Sequence, residues 1–238
     1  MADDPVILSF DTATPCCSVA LTRGDLRSGV CLAEVSFNAG VTHSRKLLGS
    51  IDWLLDQVSM SIADVQAVAV GLGPGSFTGL RIGMATAKGL IFGTDVPLIG
   101  LPSLDTIGMR IPTKRLVCAT LDARKKELYY ALYKPSSDGE MQRISEPAVQ
   151  SAESLAQNIT EPVIMAGDGS RAYHQELAAL IGPDVTFMTT EYDYPSAKIG
   201  GFLAYDYLQK QDFMDLDSAA PLYVRASDAE LSLVRKTA

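Results

Sequence analysis

Apolar positions along this chain fall into runs of two periods. Val6 to Asp11, Cys16 to Thr22 and Val30 to Asn38 are strand-length apolar runs joined by turn residues (Pro15, Arg23-Gly24-Asp25, Gly29). That pattern predicts an antiparallel three-strand meander. From Ser44 to Val58 the period changes. Leu47, Leu48, Ile51, Leu54, Leu55 and Val58 fall on a stripe about 120° wide, which predicts a helix. Val65 to Val70 reads as a buried strand, Leu80 to Phe92 as a second helix and Pro97 to Leu101 as a further strand. The predicted order is β-β-β-α-β-α.

The order then recurs. Strands are predicted at Arg115 to Leu121, Glu127 to Lys134 and Pro147 to Gln150, a helix from Ser151 to Asn158, and a strand at Pro162 to Ala166. Gly167-Asp-Gly-Ser170 leads to a helix from Tyr173 to Ile181, and Val185 to Met188 is a last strand. Asp11 and Asp122 lie 111 positions apart, as do Ala20-Leu21 and Ala131-Leu132; Gly73-x-Gly-Ser76 and Gly167-x-Gly-Ser170 lie 94 apart. A duplicated lobe is expected: residues 1–101 as the first, 102–190 as the second. A helix over 195–210, opened by Pro195, should pack back on the first lobe, followed by a polar tail, 212–238. Gly200-Gly201 inside that helix lowers its propensity by about 1–2 kcal/mol, which points to close packing there.

The densest feature is Gly71-Leu-Gly-Pro-Gly-Ser-Phe-Thr-Gly-Leu-Arg-Ile-Gly83, between a strand and a helix. It lacks the lysine of a phosphate-binding P-loop, and no register completes G-x-G-x-x-G. Gly75, Gly79 and Gly83 recur every four residues, so with Gly73 they are read as a structural turn and a helix face suited to a close helix–helix contact.

Composition narrows the chemistry. The 238 residues are 47% hydrophobic and 20% charged, as in a globular protein. No apolar run of membrane-spanning length occurs, and Met-Ala-Asp-Asp at the start lacks a signal-like pattern, so a cytoplasmic protein is expected. The net charge of −8 disfavours strong direct binding to nucleic acid. Four cysteines without a C-x-x-C pair, and His43 and His174 set 131 positions apart, support no metal site. His43 is read as a capping or surface residue.

Two such lobes, each with an Asp closing its first strand, resemble the actin, Hsp70 and sugar-kinase superfamily. Phe10-Asp-Thr-Ala13, His43-Ser-x-x-Leu47, Gly73-Pro-Gly-Ser-Phe-Thr-Gly-Leu-Arg81, Leu121-Asp-Ala-Arg124 and Pro221-Leu-Tyr-Val-Arg225 are similar to the motifs of the TsaB (YeaZ) family. The resemblance implies a non-catalytic partner of the related protein TsaD. TsaD transfers a threonylcarbamoyl group to the adenosine just 3′ of the tRNA anticodon, and the ATPase TsaE joins the complex. A homodimer without TsaD, and tRNA contact that is indirect or weak, are also implied. The superfamily clasps nucleotide phosphates in glycine-bearing hairpins after each Asp. Here Asp11-Thr12 leads into a hairpin without glycine, and Asp122-Ala-Arg124-Lys-Lys126 is bulky and charged. These are degenerate phosphate loops, so no cofactor is expected, although room for a weakly held nucleotide remains. Ser103 and Ile107 stand near the places of the catalytic relative's H-x-x-x-H pair. An active transferase or ATPase of this fold, and a homodimer serving another partner, are the alternatives.

Trp53, the one tryptophan, lies about 100–160° from its helix's apolar stripe, with Ser50 beside it. On the next helix Ile82, Ala85 and Gly89 form a second strip, with Lys88 at its edge. These six residues are the expected partner-binding surface.

Overall fold

The run Val6–Asp11 (β1) is buried along its length because it is central: it pairs antiparallel with β2 (Cys16–Arg23) and parallel with β4 (Ala67–Gly73). Adding β3 (Val30–Asn38) and β5 (Leu98–Pro102) gives a five-stranded sheet of order β3-β2-β1-β4-β5. The computed structural model describes residues 4–38 and 43–225, with side chains from residue 46 in the second span. The capping expected of His43, and the tail beyond Arg225, lie outside the described residues.

Alternation along β1 places the layers. Val6, Leu8 and Phe10 share a core with Leu47, Ile51, Leu54 and Leu55 of α1 (His43–Gln57) and Met84, Ala87 and Ile91 of α2 (Phe77–Ile91). Ile7 faces the other way, onto Ala204 of the helix Ala197–Lys210. In that helix a Cβ on Gly201 would overlap the Thr22 hydroxyl, so the close packing expected of the glycine pair occurs at Gly201.

The second sheet is built on β6 (Leu116–Arg124), which pairs antiparallel with β7 (Glu127–Pro135) and parallel with β10 (Val163–Ala166). With β8 (Met141–Arg143) and β11 (Val185–Phe187) its order is β11-β10-β6-β7-β8, and β9 (Ala148–Gln150) also pairs with β7. Read in reverse, the order and strand directions match the first sheet. Asp11 and Asp122 occupy equivalent places; Gly73 ends β4 and Gly167 directly follows β10, its counterpart, with φ of 96° and 100°, which favour glycine. This is the two-lobed α/β arrangement of the actin, Hsp70 and sugar-kinase superfamily, with the lobe duplicated.

Alternation also orders the second lobe. Leu116 and Cys118 pack with α4 (Ala152–Asn158) and α6 (His174–Ile181), while Val117, Ala119 and Leu121 pack with Ile107 of α3 (Asp105–Gly108). Asp105 ties α3 to this sheet, accepting from Tyr133 Oη at 2.8 Å and Arg143 Nη1 at 3.0 Å.

Several expectations change. The third strand of the second lobe is split: β9 lies where it was expected, and β8 adds a second piece on the far end of β7. α3 and the short α5 (Asp168–Ala172), ahead of α6, were not anticipated. The glycine row does not hold two helices together. Cβ atoms on Gly75 and Gly79 would overlap the carbonyl oxygens of Ala13 and Thr12, and one on Gly83 would press on the Thr12 hydroxyl. The row seats α2 on the backbone of the first hairpin.

That contact generates a prediction. Gly79→Ala forces a methyl against rigid backbone, so it should lower stability by about 2 kcal/mol or more. Urea denaturation measures it; an unchanged midpoint would show that the seat yields.

Candidate functional site

The first hairpin is closed by its own chain. Thr12 is fully buried, and Asp11, Ala13 and Thr14 nearly so. Asp11 Oδ1 accepts the Ala13 amide at 2.8 Å, and Oδ2 accepts Ser103 Oγ at 2.6 Å. Thr12 Oγ1 donates to Gly79 O at 2.7 Å, and the Ser76 amide to Ala13 O at 2.6 Å. Burial raises the Asp11 pKa, and the Ser103 and Ala13 bonds work against it. A phosphate-binding turn must point free N–H groups at its ligand. Here a carboxylate of the same hairpin takes the Ala13 donor. Ser103 serves this network, and Ile107 is buried in the second-lobe core.

The second hairpin repeats the arrangement with a different surface. Asp122 Oδ1 accepts the Arg124 amide at 2.8 Å, and Asp168 Oδ1 accepts the Asp122 amide at 2.9 Å. The turn itself is exposed, and Arg124 pairs with Asp122 at 3.0 Å. Arg124, Lys125 and Lys126 all have φ near +60°, which splays their side chains outward.

Beside the first hairpin a cavity of about 600 Å³ is lined by Cys16, Glu34, Arg110, Tyr192, Tyr194 and Lys198, among others. Its cations are engaged: Lys198 lies 3.6 Å from Glu34, and Arg110 Nη2 donates to the carbonyls of Glu191 and Tyr194. Burial pushes the Cys16 thiol up to about 11, so it stays protonated at neutral pH. No group of three metal-ligating side chains occurs among the described residues.

The outer face of α1 and α2 is different in kind. Trp53 is 51% exposed, Leu48 54% and Phe92, just after α2, 81%. Two assignments exchange places. Ser50, expected outside, is buried, because its hydroxyl donates to Lys46 O at 2.6 Å and needs no water. Leu48, expected in the buried stripe, stands exposed. Ala85 and Gly89 are exposed, whereas Ile82 and Lys88 are half-buried and Ile82 packs against the core. Among the described residues, a Cβ on Gly49 or Gly89 would meet nothing within 4 Å.

Asp168 carries a pH prediction. Burial, together with the Asp122 and Asp193 charges, pushes its pKa up to about 6, against the Asp122 amide bond. The folded chain keeps this proton to about pH 6, and the unfolded chain releases it near pH 4. Stability therefore falls as pH rises from about 4 to 6 and stays lowered above. Asp168→Asn keeps the acceptor and removes the charge, so it should add about 1 kcal/mol at pH 8 and nothing at pH 4. Thermal melts at the two pH values check this; equal effects would refute it.

The chain is similar to known proteins over most of its length. Residues 37–233 match the family model described as TsaD, tRNA N6-adenosine threonylcarbamoyltransferase. The tRNA threonylcarbamoyladenosine biosynthesis protein TsaB of Haemophilus influenzae is 32% identical over 232 residues, covering 92% of this chain and 93% of that protein. The structure of YeaZ from Pseudomonas aeruginosa superposes with a TM-score of 0.73 at 26% identity, covering 92% of this chain and 99% of that one. Component A of (R)-2-hydroxyglutaryl-CoA dehydratase from Acidaminococcus fermentans, at 12% identity and a TM-score of 0.52 over 86% of this chain and 99% of that one, shares the fold alone. The matched motifs, the duplicated lobes and this full-length identity show that the chain belongs to the TsaB (YeaZ) family, within the wider group described by the TsaD model.

Proposed function

We propose that this chain acts in the cytoplasm as a non-catalytic partner in tRNA threonylcarbamoyladenosine biosynthesis. It docks a TsaD-like paralogue through the outer face of α1 and α2, in a complex that a TsaE-like ATPase joins. Without the paralogue, the same face pairs with a second copy. The name of the Haemophilus relative and the TsaD family model support the pathway. No helix of the described residues is long and apolar enough to cross a membrane.

One observation carries the docking role: Gly49, mid-way along α1, and Gly89, in the last turn of α2, lie on an exposed face where nothing among the described residues needs them. Glycine in a helix interior is about 1 kcal/mol worse than alanine. Gly75 and Gly79 are required by a backbone they touch, whereas Gly49 and Gly89 face open space. Beside them Trp53, Leu48 and Phe92 expose large apolar surfaces. Small residues among exposed apolar ones suit close approach by another helix pair. The closed first hairpin supports the non-catalytic half of the reading, because its Ala13 amide is held by Asp11.

Two measurements test this. Gly49→Ala and Gly89→Ala should each stabilise the monomer by about 0.5–1 kcal/mol while weakening its association with the paralogue in titration calorimetry. Trp53→Ala should weaken association about thirtyfold and leave the monomer folded, as for a central interface aromatic. Folded variants that bind and self-associate like the parent would place the interface elsewhere. The purified chain should also hydrolyse ATP no faster than a blank. A rate that follows the chain through purification and vanishes in Arg124→Ala would overturn the non-catalytic reading.

A further inference from the structure

Besides the two covalent links between the lobes, residues 103–115 and 188–196, the chain makes a third crossing after its last helix. The Met214 amide donates to Leu98 O at 2.8 Å, Ala219 is buried in the first-lobe core, and the Leu222 amide donates to Leu72 O at 2.9 Å. The Tyr223 ring lies 5.0 Å from Phe77, the first residue of α2. The Arg81 guanidinium sits 3.9 Å over Phe77, and its Nε donates to Tyr223 Oη at 3.2 Å. The chain then leaves the first lobe. Val224 packs against the core of the second, and Arg225 Nη1 lies 3.0 Å from Glu127 Oε2, on the second hairpin.

We propose that residues 221–225 are an interlobe clasp, anchored permanently on the first lobe and closing on the second through Arg225 and Val224. The two ends differ in strength. The first-lobe end combines backbone hydrogen bonds, a buried alanine and stacked rings. Among the described residues, the second-lobe end is one ion pair, with side chains 23% and 39% exposed, and one half-buried valine. Such an end can release while the strap stays seated on α2. It lands immediately after a turn of three non-glycine residues in the left-handed region, a conformation that persists only where its surroundings hold it. A second ion pair, Arg27–Glu140 at 2.8 Å, also joins the lobes, at the opposite ends of the sheet strands. Its side chains are 61% and 52% exposed, so it adds little. The clasp thus sets how far the lobes open at the hairpin end, and it does so whether or not the docking reading holds.

Charge reversal tests the clasp on the full-length protein. Spin labels at Gln57→Cys on α1 and Gln157→Cys on α4, in a Cys31→Ser background, report the interlobe distance by electron–electron resonance. Diluted into an excess of unlabelled protein, so that only pairs within one chain are read, the parent should give one narrow distance. Glu127→Arg or Arg225→Glu alone should raise the population of a longer distance about fivefold, and the double reversal should restore the parent distribution. Arg27→Glu should leave it unchanged. Single reversals that fold by circular dichroism and keep the parent distribution would overturn the clasp. So would a double reversal that does not restore it, or an Arg27→Glu effect of equal size. If both single reversals fail to fold, Glu127→Gln removes the charge without reversing it and is read in the same way.

Discussion

The approach of α2 to the backbone of residues 12 and 13 constrains most of this molecule. The two segments come so close that any side chain on Gly75 or Gly79 would overlap a carbonyl oxygen. Hydrogen bonds from Thr12 to Gly79 and from the Ser76 amide to Ala13 fix the contact in register. The contact has three effects. The first hairpin is buried, so it has no open cradle of donors. α2 is held in one rotation, with Leu80, Met84, Ala87 and Ile91 inward and Ala85 and Gly89 outward. The Asp11 carboxylate, shut in with the turn, becomes an internal anion that organises Ala13 and Ser103.

The second lobe solves the same problem with less helix. Thr120, two residues before Asp122, ties the strand to this turn, donating to Ala166 O and accepting the Ser170 amide, and Gly167 passes close to the Thr120 backbone. The helix after this turn, α5, has five residues where α2 has fifteen. The second hairpin is therefore exposed from Arg124 to Lys126, where the first exposes Pro15 alone. Duplication preserved strand order and strand-end geometry, while the surfaces around the two hairpins diverged.

Much of this was legible in the residues. β1, β2 and β3 were readable because apolar runs of strand length are punctuated by Pro15, Gly24 and Gly29. β8 was not: Met141-Gln-Arg143 is a short edge piece with no apolar pattern, held by its register on β7. α3 was missed because its four residues, Asp105 to Gly108, make barely one turn and so carry no period. On α1, periodicity placed Trp53 outside correctly but exchanged Leu48 and Ser50. A hydroxyl bonded to the carbonyl four residues back is satisfied inside, and hydropathy alone does not see that bond. The role of Asp11 depends on Ser103, 92 residues away, a pairing that no local pattern carries.

The glycines show why the site was harder to read than the fold. Gly79 and Gly89 lie on one helix, ten residues apart, in the same four-residue idiom of small side chains. One is needed because the protein's own backbone presses on it. A Cβ on the other would touch nothing among the described residues. Spacing puts Gly89 on a second strip, four residues after Ala85, but it records that a small residue is present and not what lies opposite. The structure separates them by subtraction: internal packing accounts for Gly75, Gly79 and Gly83 and leaves Gly49 and Gly89 without a cause among the described residues. A helix that carries a glycine its own fold does not require is less stable alone than it could be. That deficit is offset only in a state where another surface comes as close to Gly89 as Thr12 comes to Gly79.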